Sequence, residues 1–375
     1  MTYNTVKLDM TTLSSARKLF VGGKRLPFTA NNYLKELAMI QNKKGKKATI
    51  KDVASLAGVS VASVSRFLNN RQGHLSAQKA LIIGRAIDLL DYVPNNAARV
   101  MKTKKSKMIA VVMANIDDYF STEVFKGASN ILKSQGYQAF LLDTGADQNQ
   151  EKSLIKTVRN KDFDGLLFQP LGSNVDIISD EILHNIPTVI IDRDLATSKW
   201  PRVVSNNFAV AKEATQYFFV EKKCSSVLIL TSKIAVAYTR KERYEGVCSV
   251  AKNSQVHVIE LAEEAYNNKI VFKELTSFLD LQKKKKQKTL IFCFKERWLL
   301  EFIPSLISQG YLTDDQVFIT GFADTKIAHA LLPQSRLISQ NPYLMGASAA
   351  EILLSNLIGN DFKSQNNKVI VRANF

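Results

Sequence analysis

The chain has 375 residues, of which 46% are apolar, so it is too long for one ordinary core and we expect two or three folded domains. It contains no run of about 18 apolar residues and no secretory apolar block at its N-terminus, so no membrane span is predicted. Its three cysteines and four histidines are widely scattered. The sequence therefore predicts a cytoplasmic protein without disulfides, metal sites or cofactors.

The net charge of +17 is concentrated in the first part of the chain. Residues 1–107 contain 20 of the 51 Lys and Arg residues but only 5 of the 34 Asp and Glu residues, so this segment carries +15. A basic segment attached to a nearly neutral body favours a polyanionic partner, most often nucleic acid. A solvated basic tail without a partner is the alternative.

Residues 1–47 show no clear amphipathic pattern, and we expect this N-terminal extension to be disordered or not translated. Translation would then start at Met39, because Lys35 and Glu36 can be encoded by AAGGAG, a ribosome-binding sequence, a short distance upstream. A basic arm that adds contacts to nucleic-acid phosphates is the alternative.

Two short helices separated by a glycine are predicted within residues 48–70. Thr49 can cap the first helix, Gly58 can end it in the left-handed conformation, and Ser60 can cap the second helix. A third helix is predicted over residues 76–92. This arrangement is typical of a helix-turn-helix unit, whose second helix fits the major groove of DNA. A small three-helix bundle without DNA-binding activity is the alternative.

The second predicted helix has an apolar face and a face of small residues. The apolar face, at Val64, Phe67 and Leu68, is expected to pack against the other helices. Small side chains on the opposite face let the helix backbone approach DNA closely. This outer face comprises Val61, Ala62, Ser65 and Arg66.

From Met108 onward, apolar strand segments alternate with amphipathic helical segments. Strands are predicted over residues 108–114, 138–144, 163–169, 187–193, 225–231, 256–261, 289–294 and 317–322. Such alternation indicates an α/β fold with parallel sheets covered by helices on both faces. The number of strands favours two doubly wound lobes, and ligands bind such sheets at the carboxyl ends of the strands.

The segments "TIKDVASLAGVSVASVSRFLNN" and "YVPNNAARVM", in this order and at this separation, resemble the DNA-binding headpiece and hinge of the LacI/GalR family of bacterial transcription regulators. The resemblance extends at lower similarity over residues 48–375. It implies an all-α helix-turn-helix domain at 48–92 and a hinge, helical on DNA, at 93–107. An effector-binding and dimerisation core, with two lobes like those of periplasmic sugar-binding proteins, is implied at 108–375.

The resemblance also implies which residues contact DNA. Val61, Ala62 and Arg66 would read bases, with Arg66 placed for a bidentate contact to guanine. A phosphate contact or a surface ion pair is the alternative for Arg66. Met101 stands where the family inserts a leucine wedge into the minor groove, although a plain linker is the alternative for the hinge. The expected DNA-binding residues are Thr49, Ser60, Val61, Ala62, Ser63, Ser65, Arg66, Asn69, Tyr92, Asn95, Ala98 and Met101.

Carried over position by position, the family's cleft implies a set of effector-binding residues, each of which could instead cap or pack a strand end. Arg193, Arg243 and Lys295, with fewer carboxylates than the family pattern, favour an anionic sugar acid. The expected effector-binding residues are Asp118, Tyr119, Phe120, Ser121, Gln169, Asp192, Arg193, Asn206, Arg243, Lys295, Asp324 and Gln340.

A narrower resemblance concerns "SRFLNN", "KKSKMIAVVMANIDDYFS" and "IPTVIIDRDL", which look like the subgroup of regulators of 2-keto-3-deoxygluconate and uronate catabolism. It implies a sequence-specific repressor of a carbohydrate-catabolism operon, controlled by 2-keto-3-deoxygluconate or a related uronate product. A neutral sugar or a phosphosugar is the alternative effector. The expected partners are palindromic double-stranded operator DNA and a second copy of the chain, since the C-terminal residues show no tetramerising heptad.

Two other classes of protein compete with this interpretation. A sugar-binding transport protein would need an export signal and would have no use for a headpiece. An enzyme is also considered, because Ser153 and Lys156 fit a Ser-x-x-Lys pattern, but no companion motif, phosphate-binding glycine loop or nucleophile elbow accompanies it. The sequence therefore predicts a protein without catalytic activity.

Overall fold

The computed structural model describes residues 20–21, 24–25, 48–68, 75–94, 105–160, 163–172, 186–193, 200–262, 266–359 and 367–375. The chain divides into two compact units, Met1–Lys104 and Lys105–Phe375, which we call the headpiece unit and the core unit.

Much of the predicted N-terminal extension and hinge lies outside the described residues. Within the extension, two-residue strands β1 (Phe20–Val21) and β2 (Lys24–Arg25) pair antiparallel. The predicted DNA-binding residues outside the described part are Asn69, Asn95, Ala98 and Met101.

The headpiece unit contains helices α1 (Ile50–Leu56), α2 (Val61–Leu68) and α3 (Ala77–Leu89). The predicted caps are confirmed: Thr49 Oγ1 accepts from Asp52 N at 3.4 Å, Ser60 Oγ accepts from Ser63 N at 3.2 Å, and Ser76 Oγ accepts from Lys79 N at 3.4 Å. Each cap satisfies a backbone N–H that the first helical turn leaves without a partner.

These helices enclose a small apolar core. Val53, Val64 and Ile83 are fully buried at its centre. Gly58, after α1, has the predicted left-handed conformation with φ of 62°. Helix α3 ends earlier than predicted, at Leu89, and Asp91 then takes a φ of 43°, which a continuing right-handed helix does not allow.

In the described part of the core unit, most strands are followed by a helix, as predicted, and two short 3₁₀ helices occur at Ile234–Val236 and Asn253–Gln255. In chain order the strands and α-helices are β3 (Met108–Met113), α4 (Tyr119–Ser134), β4 (Gln138–Asp143), α5 (Gln148–Asn160), β5 (Gly165–Phe168), β6 (Thr188–Ile191), β7 (Arg202–Ser205), α6 (Asn207–Val220), β8 (Ser226–Ser232), α7 (Tyr238–Cys248), β9 (Val256–Leu261), α8 (Asn268–Lys284), β10 (Thr289–Cys293), α9 (Glu296–Ser308), β11 (Val317–Gly321), α10 (Lys326–Leu331), α11 (Pro342–Leu357) and β12 (Lys368–Val371).

These strands form two parallel sheets, which confirms the predicted α/β architecture of two doubly wound lobes. The sheet of the first lobe has the order β12-β7-β6-β5-β3-β4, and that of the second lobe has the order β11-β10-β8-β9. All eight predicted strands are present. Strands β7 and β12, which pair with each other at one side of the first sheet, are not among the predicted strands.

Alternate side chains of each central strand enter opposite cores, as the two-residue period of a strand requires. In β3, Ile109, Val111 and Met113 pack with α4 and α11, whereas Ala110 and Val112 pack with residues of α5 on the other face. Helices therefore cover both faces of the sheet, and the ends of its strands remain accessible for ligand sites.

Within the described residues, the chain passes between the lobes at three places, which we call the crossovers: residues 205–207, 339–342 and 371–373. Asn206 Oδ1 accepts from Ala373 N at 2.7 Å and so ties the first crossover to the third. Asn341 Nδ2 donates to Arg372 O at 3.1 Å and ties the second to the third. The three crossovers therefore form one hydrogen-bonded connection.

Helices α4 and α11 of the first lobe cross in direct backbone contact. A Cβ added at Gly346 would lie 1.9 Å from Val124 O, and one added at Gly127 would lie 1.9 Å from Tyr343 O. Because these obstacles are backbone atoms, the crossing requires glycine at both positions.

Candidate functional site

A polar cleft lies between the two lobes of the core unit, at the carboxyl ends of the strands. It contains about 630 Å³ of unfilled space, part of it open to solvent. This is the position at which open parallel sheets bind ligands. The lining residues are Ala114, Asn115, Asp118, Phe120, Ser121, Gln169, Asp192, Arg193, Thr239, Arg240, Arg243, Phe294, Lys295, Glu296, Phe322, Asp324 and Gln340.

The structure brings ten of the twelve predicted effector-binding residues to this lining and places the other two elsewhere. Tyr119 is 45% exposed on the first turn of α4 and faces a separate depression outside the cleft. Asn206 uses its amide to hold Ala373 at a crossover. Several lining residues are not in the predicted set. Arg240 lies one turn before Arg243 and Glu296 lies beside Lys295, so their positions indicate the same site.

The first-lobe wall is built around Asp192, which follows β6. Its Oδ2 accepts from Gln169 Nε2 at 2.9 Å, and Gln169 in turn accepts from Ala114 N at 3.2 Å. Asp192 has a φ of 66°, an uncommon conformation for a residue with a side chain. Its buried Oδ1 has no hydrogen-bond partner among the described residues, so it is available to accept from a ligand.

The second-lobe wall is built around Arg243 of α7. Its Nε donates to Asn207 Oδ1 at 2.8 Å, another guanidinium nitrogen donates to Phe294 O, and the guanidinium stacks 3.6 Å from the centroid of the Phe322 ring. Burial lowers the pKa of Arg243 to about 10, opposed chiefly by the charge of Asp192. Arg243 therefore stays cationic at neutral pH and is held in a fixed orientation.

Two side-chain contacts connect the walls across the cleft. Arg193, after β6, donates to Thr239 Oγ1 at the start of α7. Lys295, after β10, has its Nζ 3.9 Å from Oδ2 of Asp118, the N-cap of α4. Each contact therefore joins a residue of the first lobe to a residue of the second lobe.

Glu296 and Asp324 hold the second-lobe loops that border the cleft. Glu296 accepts from Asp324 N at 2.9 Å, and Asp324 accepts from Ser339 Oγ at 2.6 Å and from Gln340 N at 2.9 Å. Burial raises the pKa of both carboxyls, and these hydrogen bonds oppose the rise. Gln340 Nε2 is buried without a partner in the described part of the chain, so it can donate to a ligand.

The cleft lining is formally neutral, because its cations are matched in number by carboxylates. Four cations are balanced by four carboxylates. Two of these carboxylates, those of Glu296 and Asp324, are occupied by loop hydrogen bonds. The cations are Arg193, Arg240, Arg243 and Lys295, and the carboxylates are Asp118, Asp192, Glu296 and Asp324.

In the headpiece unit, helix α2 presents the predicted outer face to solvent. Val61 is 40% exposed, Ala62 and Arg66 are exposed, and Ser65 is half-buried. The hydroxyls of Ser60 and Ser63 lie 3.0 Å apart at the start of this helix. Tyr92, predicted to contact DNA, is only 8% exposed and belongs to the headpiece core, so its ring serves packing.

The described residues contain neither a metal site nor a membrane span. No group of three or more His, Cys, Asp or Glu side chains in that part of the chain could hold a metal ion. None of its helices combines the length and the apolar character needed to cross a bilayer.

Each of the two units matches a known protein family. The periplasmic binding protein domain family matches residues 109–361, and bacterial regulatory proteins of the lacI family match residues 49–95. The HTH-type transcriptional regulator KdgR of Bacillus subtilis (strain 168) is 30% identical over 315 residues, which are 83% of this chain and 91% of that protein.

Solved structures show the same relationship. A LacI transcriptional regulator from Lactobacillus brevis is 43% identical over 71% of this chain and 99% of its own, with a TM-score of 0.66. The lac repressor dimer bound to operator and the anti-inducer ONPF is 17% identical and covers 88% of this chain and 97% of its own, with a TM-score of 0.70; it shows the shared fold alone. The chain therefore belongs to the lacI family and is a DNA-binding transcription regulator.

Proposed function

We propose that this protein is a homodimeric repressor of a carbohydrate-catabolism operon, that it binds a palindromic operator, and that a small sugar acid in the cleft controls this binding. Repressors of the lacI family bind operator DNA as dimers and respond to small-molecule sugar effectors. The observation that carries the proposal is a polar cleft with buried arginines and unpartnered polar atoms, in a chain that also has a helix-turn-helix unit.

The favoured effector is 2-keto-3-deoxygluconate or a related uronate product. Arg243 and Lys295 supply cationic donors for a carboxylate, and a guanidinium pairs well with such a group. Asp192 Oδ1 supplies an acceptor and Gln340 Nε2 a donor, both suited to sugar hydroxyls. The quoted segments that resemble regulators of uronate catabolism favour the same class.

A neutral sugar is the second candidate, and the equal number of cations and carboxylates in the lining favours it. A neutral ligand needs hydrogen-bond partners but no excess of positive charge. The two candidates differ only in the charge of the effector, so one binding experiment separates them.

On the DNA side, the outer face of α2 enters the major groove, with Val61, Ala62 and Arg66 at the bases. One headpiece reads one half-site, so a symmetric dimer reads a palindrome. Ser60, Ser63 and Thr49 lie at helix starts, where hydroxyls and backbone N–H groups suit phosphate contacts. Such a protein acts in the cytoplasm, where its operator is.

The test uses the full chain and a pool of random double-stranded DNA. Selection by the purified protein should return a palindromic site, and 2-keto-3-deoxygluconate should change the affinity for that site in a gel-shift titration. Neutral hexoses should leave it unchanged. A response to a neutral hexose alone would establish the second candidate, and failure to enrich any palindrome would refute operator recognition by a dimer.

A further inference from the structure

The contact between Lys295 and Asp118 joins the lobes at one edge of the cleft. The two charged groups lie 3.9 Å apart, and their side chains are 17% and 22% exposed. Partial burial reduces the screening of such a pair by water and salt. The pair therefore attracts one lobe to the other more than a fully solvated pair would.

The same two residues separate the cleft from the outer depression. Asp118 and Lys295 line the cleft, whereas their neighbours Asp117, Tyr119 and Arg297 line the depression. Residues 117–119 of the first lobe and 295–297 of the second lobe thus form the wall between an inner and an outer space. A ligand that enters from the depression has to pass between these segments.

We propose that the Lys295–Asp118 ion pair is a latch across the mouth of the cleft, and that the carboxylate of an acidic effector opens it by replacing Asp118 at Lys295. This rests on the proposed function, because it requires an acidic effector in the cleft. After the exchange, Lys295 keeps an anionic partner, and the partly exposed Asp118 is solvated by water. A neutral sugar offers Lys295 no such replacement.

The variant Asp118→Asn removes the charge and retains the other role of this residue. Asp118 Oδ1 accepts from Phe120 N at 3.2 Å and caps α4. Asparagine caps helices as well as aspartate does, so the helix start is preserved. Asp117→Asn is the matched control, since it removes the same charge one residue away, outside the cleft lining.

Calorimetry on the full chain tests the exchange with 2-keto-3-deoxygluconate and its neutral methyl ester. In Asp118→Asn, Lys295 has no competing carboxylate, so this variant should bind the acid about three- to tenfold more tightly than the unmodified chain. The range follows from the usual strength of partly exposed ion pairs. The affinity for the ester should stay the same, as should both affinities in Asp117→Asn. Weaker binding of the acid would mean that Asp118 contacts the ligand directly, which overturns the latch and leaves the proposed function standing.

A second measurement needs no ligand. Backbone amide exchange followed by mass spectrometry should be faster at residues 114–121 and 294–297 in Asp118→Asn than in the unmodified chain or in Asp117→Asn. Unchanged exchange overturns the latch. If the unmodified chain binds no sugar acid, the proposed effector class is wrong, and so is the replacement of Asp118 by the effector carboxylate. Faster amide exchange in Asp118→Asn would then still support the ion pair as a contact that holds the lobes together.

Discussion

The headpiece and the cleft are held in shape by contacts of very different range along the chain. Thr49, Ser60 and Ser76 each accept from a backbone N–H three residues later. In the core unit, Asn206 and Ala373 are bonded across 167 residues, and Gln169 and Ala114 across 55. Short-range bonds form together with a helix, whereas long-range bonds require distant segments of the core unit to be in place. The headpiece is therefore specified segment by segment, and the cleft by the whole core.

The strongest test of this difference in contact range makes a glycine-to-alanine substitution in each unit. Gly346→Ala should destabilise the core unit by about 3 kcal/mol or more, because the new Cβ overlaps a backbone oxygen of the facing helix. Urea unfolding followed by the fluorescence of Trp200 and Trp298, both in the core unit, measures it.

The matched change is Gly84→Ala in α3. Its Cβ would meet only Phe67 Cζ, at 3.5 Å, so the better helix propensity of alanine should stabilise the headpiece by about 0.5–1 kcal/mol. Equal losses at the two glycines would contradict the idea that long-range contacts dominate the core.

Arg66→Ala should weaken binding to the selected operator by about 1–3 kcal/mol, since a bidentate contact with guanine is lost. The side chain is exposed, so the unfolding of the core unit and its affinity for the effector should not change. Fluorescence anisotropy on operator and on random DNA makes the measurement. An equal loss on both DNAs, or full recovery in Arg66→Lys, would reduce Arg66 to a phosphate contact.

Asn206→Ala should destabilise the core unit by about 1–2 kcal/mol, because it leaves the N–H of Ala373 without its acceptor. Asn206→Asp retains the acceptor oxygen and should lose less. Tryptophan fluorescence in urea compares the two variants. If the aspartate is as damaging as the alanine, the donation from Asn206 Nδ2 to Ala373 O is the more important bond.

Thr49→Ala should have the smallest and most local effect. Losing the N-cap of α1 costs about 1 kcal/mol, and this should appear in the headpiece transition by far-UV circular dichroism. The tryptophan transition of the core unit should remain where it is. Thr49→Ser should restore the headpiece, and a shift of the core transition would show that the units do not unfold separately.

The success of the sequence predictions follows the same division. The caps and the apolar faces of the headpiece follow from residues three or four apart, and the strands that alternate with long helices have a strong apolar pattern. Strands β7 and β12 have four residues each and pair with each other, although one lies at residues 202–205 and the other at residues 368–371. No local pattern contains that information.

For the cleft, the family resemblance predicted residues at the strand ends but not the contacts that each side chain makes. Asn206 occupies a strand end, yet its partner is Ala373 near the last residue of the chain. Glu296 reaches the loop after β11, which only the assembled second lobe brings close. The family resemblance predicted where polar groups gather, and tertiary contacts decided which atoms remain for a ligand.

The order of the lobes along the chain has a consequence for synthesis on the ribosome. The second lobe lies almost entirely between the first and second crossovers, so its sheet is complete once residue 321 has emerged. The first lobe lacks α11 and β12 until residues 342–371 follow. During that interval, the sheet face with Ile109, Val111 and Met113 is covered by α4 but lacks α11, the second helix that packs on it in the finished protein. The nascent chain therefore exposes part of an apolar surface for that interval, and the lobe that is begun first is finished last.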